Sequence, residues 1–163
     1  MLPPQDTQYL QTMYAAALAA AEAFTPWPLN ISPTQYAACA ACEAAEETGW
    51  GVHLPKGSFN ELGIMQMGQW DGPSVAADGT EQNPDGTWQG PKKDFWCVFP
   101  DAQTCFTEQL KILTHPAYVQ ARAAPSPETY IAAECKVWST GLAKGQQVTI
   151  IYENHGKALA AGN

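Results

Sequence analysis

The sequence is poor in positive charge: 8 Lys and Arg stand against 16 Asp and Glu, for a formal net charge of −8. Affinity for nucleic acid draws on clustered Lys and Arg, so nucleic acid is not an expected partner. A long apolar run is also missing. The longest, Tyr14 to Ala21, is mostly alanine and far short of the roughly 20 residues a membrane span requires. The opening Met1-Leu2-Pro3-Pro4-Gln5-Asp6 has neither a basic segment nor an apolar one, so no secretion signal is expected in it. Cys39 and Cys42 form a Cys-x-x-Cys, but no second such pair and no spaced histidine pair completes a zinc site. No metal and no cofactor are therefore expected. Five cysteines make an odd count for a disulfide framework. Cys39 and Cys42 read as small buried apolar residues of a helix. A Cys97–Cys105 bridge across the boundary between two lobes, or a pairing of Cys135 with a helix cysteine, are the alternatives.

What is present suits one domain. A chain of 163 residues buries roughly 70% of its unfolded surface and folds without metal or disulfide. A helix is expected from about Asp6 to Phe24, stopped by Pro26 and Pro28. A second is expected over Ser32 to Thr48. Ser32 is its N-cap, Pro33 its first helical residue, Gln35 the other half of a capping box and Gly49 its stop. Its interior, Ala37-Ala38-Cys39-Ala40-Ala41-Cys42, is almost all small, as befits a central helix approached from every side. From Gly51 to about Phe99 the helical period disappears and turn signals crowd in, among them Asp71-Gly72-Pro73, Asp78-Gly79 and Asp85-Gly86. Short strands fit Trp70 to Ala77 and Thr87 to Phe99. Helical patterns resume at about Asp101 to Leu113, Pro116 to Arg122, Pro127 to Trp138 and Gln146 to Ala160. The expected fold is mainly α (α+β): one domain over 1–163, with a helical lobe at about 6–50 and 101–160 and a small irregular β-lobe at about 51–99.

Carboxylates are the candidate chemistry. Glu43, Glu46 and Glu47 lie on the central helix, and Asp78, Glu81 and Asp85 in the turn-rich lobe. A general acid works where its surroundings favour the protonated form. The end of a buried alanine-rich helix, against Trp50, is such a place. Glu43 lies one turn back on the same face as Glu47, and Glu46 points about 100° away. The plain alternative is three solvated glutamates.

The residues around Glu47 tip that balance. Ala45-Glu46-Glu47-Thr48-Gly49-Trp50-Gly51 resembles the Ala-x-Glu-Ser-Gly-Trp-Gly motif of the N-acetylglucosaminidases of glycoside hydrolase family 73. Phe59-Asn60-Glu61-Leu62-Gly63-Ile64-Met65 resembles the Asn-x-Phe-Gly-Ile/Val-Lys of that family, and Trp70-Asp71-Gly72-Pro73 its Trp-x-Gly-Pro. Phe95 to Asp101 and Leu113 to Tyr118 resemble its later landmarks, in family order, so the likeness runs from about Tyr36 to Leu159. The resemblance implies a lysozyme-like fold, hydrolysis of a β-1,4 bond of peptidoglycan, and work in the periplasm or outside the cell by a monomer. It places the general acid on Glu47 and a second carboxylate in the β-lobe on Glu81, with Asp78 as the fallback.

Two departures stand out. Met65 replaces the lysine of the family, and Trp138, in Trp138-Ser139-Thr140-Gly141, replaces a tyrosine, for which Tyr118 and Tyr152 are possible substitutes. Gly63-Ile64-Met65-Gln66 in turn resembles the Gly-Leu-Met-Gln of lytic transglycosylases, which also select Glu47 but need no second carboxylate. A third reading is a wall-binding domain with a decayed site. Its support is the acidic charge, which is not that of an obvious processor of an anionic polymer, and the loss of that tyrosine. Trp70, Trp88, Tyr118, Trp138, Asn60 and Gln66 are the candidate substrate contacts. Core packing is the usual lot of such tryptophans, and it suits Trp50 and Trp138 better than Trp70 or Trp88. No catalytic role is expected of His53, His115 or His155.

Overall fold

A computed structural model describes residues 2–54, 57–66, 70–83, 85–139, 141 and 143–162. Within these, the side chains at 79–82, 88–89 and 91–92 lie outside the description. Helix α1 (Pro4–Ala23) leads into α2 (Pro33–Thr48). The hairpin strands β1 (Ser74–Gln82) and β2 (Trp88–Cys97) follow. The chain then forms α3 (Ala102–Leu113), a 3-10 turn (Pro116–Tyr118), α4 (Val119–Arg122) and α5 (Pro127–Trp138). It ends in α6 (Lys144–Ile151), a π-helical turn (Tyr152–Gly156) and α7 (Lys157–Ala160). No described helix is long and apolar enough to cross a membrane.

Helix α2 is the axis of the molecule. Its capping box is complete: Ser32 Oγ accepts from Gln35 N at 3.2 Å, and Gln35 Oε1 accepts from Ser32 N at 2.9 Å. Every residue from Tyr36 to Ala45 is buried, and α1, α5, α6 and α7 all pack on this helix. An alanine methyl contributes only about 0.8 kcal/mol on burial. The small side chains therefore matter more for letting neighbours approach than for their own transfer energy. Gly156 makes the point: a Cβ there would stand 2.8 Å from Cys42 Sγ and 2.6 Å from the Tyr152 ring. Larger stabilising terms come from Phe106, Leu110 and Leu113 of α3 and Ile131 of α5. All are fully buried, and each is worth about 1.5–3 kcal/mol.

The expected helices form, with two refinements. The last divides at the π-helical turn, and the Pro116–Arg122 segment begins as a 3-10 turn. The hairpin departs further. Asp78-Gly79 is not a turn: Asp78 pairs with Lys93 and Gly79 with Lys92 inside the ladder, with a register shift before Glu81. The chain reverses later, where Asn83 N donates to Thr87 O at 2.7 Å and Asp85 Oδ1 accepts from Thr87 N at 2.9 Å. All five cysteines are free and buried, so neither the Cys97–Cys105 bridge nor a Cys135 pairing forms.

Candidate active site

Glu47 stands one residue before the end of α2, and the residues after it explain why the helix stops there. Thr48 Oγ1 donates back to Ala44 O at 2.7 Å and accepts from Gly51 N at 2.8 Å. Gly49, Trp50 and Gly51 all adopt positive φ, at 55°, 63° and 84°. Such values are uncommon for a residue as large as tryptophan. Gly51 is further constrained, because a Cβ there would meet the Tyr9 ring at 2.8 Å. The Tyr9 hydroxyl lies 2.9 Å from Thr48 Oγ1 and donates to Glu61 Oε2 at 2.7 Å. Helix α1 thus holds the end of α2 and the loop that begins with Ser58-Phe59-Asn60-Glu61.

That loop forms one wall of a cleft of about 520 Å³, whose lining includes Glu47, His53, Asn60, Gly63, Asp78 and Trp96. Asn60 builds the wall. Its Nδ2 donates to Ile64 O at 2.8 Å and to Cys97 O at 3.0 Å, and its Oδ1 accepts from Ile64 N at 2.7 Å. With both N–H groups engaged, the side chain fixes the turn to the base of β2. Gly63, at φ 61°, keeps space open, since a Cβ there would stand 3.4 Å from Glu47 Oε2 and 3.5 Å from the Trp96 ring. The hairpin also lines the cleft, through Ala77, Asp78 and Trp96. A larger hollow of about 970 Å³ opens between α5 and α6, lined by Val137, Trp138, Gly145 and Ile150 among others. Its described lining contains no carboxylate, so the smaller cleft is the candidate site.

The other candidates scatter. Trp70 packs on Phe99 with ring centroids 4.8 Å apart, and its indole N–H donates to Pro73 O at 3.0 Å. Gln66 is exposed, and its Nε2 reaches Trp70 O at 3.5 Å. Tyr118 is buried against Trp138, 6.2 Å between centroids, and the Trp138 indole donates to Leu62 O at 3.2 Å. Tyr152 is buried beside Gly156. Backbone pairing sets Glu81 opposite Gln89, but the side chains of Glu81 and Trp88 lie outside the described residues. Glu47, Asn60 and the fallback Asp78 are thus the candidates that share the cleft among those described.

Charge around Glu47 differs from the apolar seat its sequence suggests. Lys144, buried at the start of α6, makes ion pairs with Glu47 Oε1 and, at 3.0 Å, with Glu43 Oε1. Gln109 Nε2 donates to Glu43 Oε2 at 2.8 Å and Tyr36 donates to Gln109 Oε1 at 2.8 Å, so a buried polar chain runs from the core to the cleft. Glu134 of α5 lies beside it, fully buried. Burial raises the Glu43 carboxyl above the usual carboxylate range, a rise that Lys144 opposes and Glu47 reinforces. Burial, then the nearby Glu43, lifts Glu134 well above that range. Burial works against the charge of Lys144, yet Glu43, Glu47 and Glu134 together push its proton affinity above the ordinary lysine value. Glu43, Glu134 and Cys135 set one donor atom each within 4.8 Å of one another, the spacing of a metal site. The Lys144 ammonium already supplies positive charge against Glu43 there. Sequence reading missed Lys144, which sits in a turn-rich spacer 97 positions from Glu47 with no local signal.

No family model matches this chain, and no curated protein matches it in sequence. Similarity to solved structures is extensive, and it defines the class of fold: the chain has the lysozyme-like fold that the residues around Glu47 led us to expect. A peptidoglycan hydrolase mutant from Sphingomonas sp. A1 matches with a TM-score of 0.77 and 17% identity, over 96% of this chain and 99% of that one. The catalytic domain of the autolysin Auto from Listeria monocytogenes matches at 0.73 and 15%, over 100% and 90%. The glycoside hydrolase domain of Salmonella typhimurium FlgJ matches at 0.67 and 18%, over 96% and 91%.

Proposed function

We propose that this protein is a peptidoglycan hydrolase that cleaves a β-1,4 glycosidic bond of the glycan strand, of the endo-β-N-acetylglucosaminidase type, with Glu47 as general acid. One observation carries the reading. Glu47 lies in the last turn of the central helix of a lysozyme-like fold and lines a cleft that a second carboxylate, Asp78, also lines. Solved structures of the same fold are peptidoglycan hydrolases and glycoside hydrolase domains, which supports the same class of substrate here. In this mechanism Glu47 gives its proton to the glycosidic oxygen as the bond to the anomeric carbon breaks. A hairpin carboxylate steers water onto that carbon or stabilises the oxocarbenium-like transition state. Asp78 is the described hairpin carboxylate that lines the cleft, and Glu81 is the one the family resemblance selects. The place of action is the wall, in the periplasm or outside the cell.

Digestion of purified peptidoglycan, followed by mass spectrometry of the new chain ends, tests this. Reducing N-acetylglucosamine ends are expected. Glu47→Gln should lower cleavage by about 10²–10⁴-fold, the usual contribution of a general acid. Anhydro-muramyl ends would replace the hydrolase with a lytic transglycosylase, the reading that Gly63-Ile64-Met65-Gln66 favours. Binding to wall without new ends would sink both in favour of a wall-binding domain.

A further inference from the structure

Glu47 and Glu43 project from successive turns of one helix, and like charges so placed repel. Lys144 resolves this by meeting both: its Nζ pairs with Oε1 of Glu47 and Oε1 of Glu43. The lysine has no freedom to do otherwise. It is 5% exposed, begins a helix and lies 6.0 Å from the centroid of the Trp138 ring, which adds a cation–π attraction. The contact divides the Glu47 carboxylate into two ends. Oε1 faces inward to Lys144, and Oε2 lies against Gly63, in the wall of the cleft.

We propose, on the basis of the function given above, that Lys144 is a positioning residue for Glu47: by holding Oε1 it presents Oε2 to the glycan. A general acid acts only while protonated, so activity falls on the alkaline side as it ionises. An ammonium in contact favours the ionised carboxylate, and a neighbouring carboxylate disfavours it. The titratable groups around Glu47 are Glu43 and Glu46 on α2, Glu134 on α5, and His53 and Asp78 in the lining of the cleft; Cys135 and Tyr118 stand by Glu43 and Glu134 behind them. Lys144 is the one described cation whose ion pair with Glu47 is direct.

The test is the pH dependence of wall cleavage for three single variants. Lys144→Met removes the ammonium. Its alkaline limb should move up by about one pH unit or more, and its maximal rate should fall roughly tenfold as Oε2 loses its fixed direction. Glu43→Gln keeps the lysine on Glu47 and removes a neighbouring anion, so its limb should move down. Lys144→Arg keeps the charge and should leave the limb in place. Opposite displacements in the first two variants support the proposal. Equal loss of rate at every pH with unmoved limbs overturns it, because a scaffold role changes rate and not titration. Should Lys144→Met fail to fold with Glu43 stranded, Glu43→Gln decides alone: an unmoved limb in that folded variant overturns the proposal. A wild-type protein that cuts no wall sinks the proposed function and this inference with it, whereas normal cutting with unmoved limbs sinks this inference only.

Discussion

Glu47 and Asp78 line the same cleft and are held there in different ways. Glu47 belongs to a helix buried from Tyr36 to Ala45, ends in a loop tied to α1 through Thr48 and Tyr9, and is anchored by Lys144. Asp78 is exposed and sits in mid-strand on a two-stranded hairpin. The described attachments of that hairpin to the rest of the molecule gather at its base. Cys97 N donates to Ile64 O at 3.0 Å, Gln66 N donates to Phe95 O at 2.8 Å, and Asn60 reaches Cys97 O. The proposed acid is therefore placed by the core, and its proposed partner by strand register. An isolated two-stranded hairpin has little stability of its own, so register and the anchored base do most of that placing. The difference teaches that substitutions behind Glu47 disturb stability and activity together, whereas substitutions on the hairpin disturb activity alone.

Asp78→Asn and Glu81→Gln put that division to its hardest trial after Glu47→Gln itself. The true partner carboxylate should cost about 10²-fold in kcat when neutralised, about 2.7 kcal/mol of barrier, with KM and melting temperature nearly unchanged. We expect the larger loss at Asp78, which lines the cleft. A larger loss at Glu81 moves the role there and leaves the comparison standing. A drop in melting temperature with either variant breaks it, because the hairpin would then be supporting the core. Full activity in both variants argues for chemistry with one carboxylate.

The helical half of this site was legible before the structure, and the hairpin half was less so, for identifiable reasons. Ser32, Gln35 and Gly49 act within a turn or two of themselves, so their capping role is written in adjacent residues. The same holds for Thr48-Gly49-Trp50-Gly51, where each side chain or its absence serves the helix end. Asp78-Gly79 misled because a turn pair becomes strand when cross-strand partners engage it, here Lys93 and Lys92. Trp70 resembles a sugar platform in isolation, but Phe99 and Pro73 O hold it against the core. Lys144 is invisible locally, since nothing in Ala143-Lys144-Gly145 foretells a contact with a helix 97 positions earlier. Tertiary charge pairing leaves no periodic trace.

Tyr9→Phe sharpens the comparison from the core side. It removes a hydroxyl that donates to Glu61 at 2.7 Å, and Glu61 is 2% exposed. Burial already raises the Glu61 carboxyl, and the Tyr9 bond acts to lower it. The loss should cost about 1–3 kcal/mol of stability, or roughly 2–4 °C of melting temperature per kcal/mol in a chain of this size. Because Tyr9 also supports Thr48, a several-fold fall in cleavage should accompany it. Lost stability with untouched activity would show that α1 holds the fold and not the acid.

The smallest effect probes the charge cluster itself. Glu134 is 1% exposed and lifted above the carboxylate range by burial and then by Glu43. A carboxyl that holds its proton more tightly folded than unfolded stabilises fully below the ordinary value near 4.3, and that stabilisation is lost as pH rises through the folded value. Lys144, displaced the other side of neutrality, stays charged throughout and contributes no slope between pH 5 and 8. Glu134→Gln removes the slope of Glu134 while keeping its shape. Between pH 5 and 8 its melting temperature should therefore gain on that of the wild type. Calorimetric melts at the two pH values measure this directly. Equal melting differences at the two pH values would mean that folding does not tighten the hold of Glu134 on its proton, and the charge cluster behind Glu47 would then not be set by burial in the core.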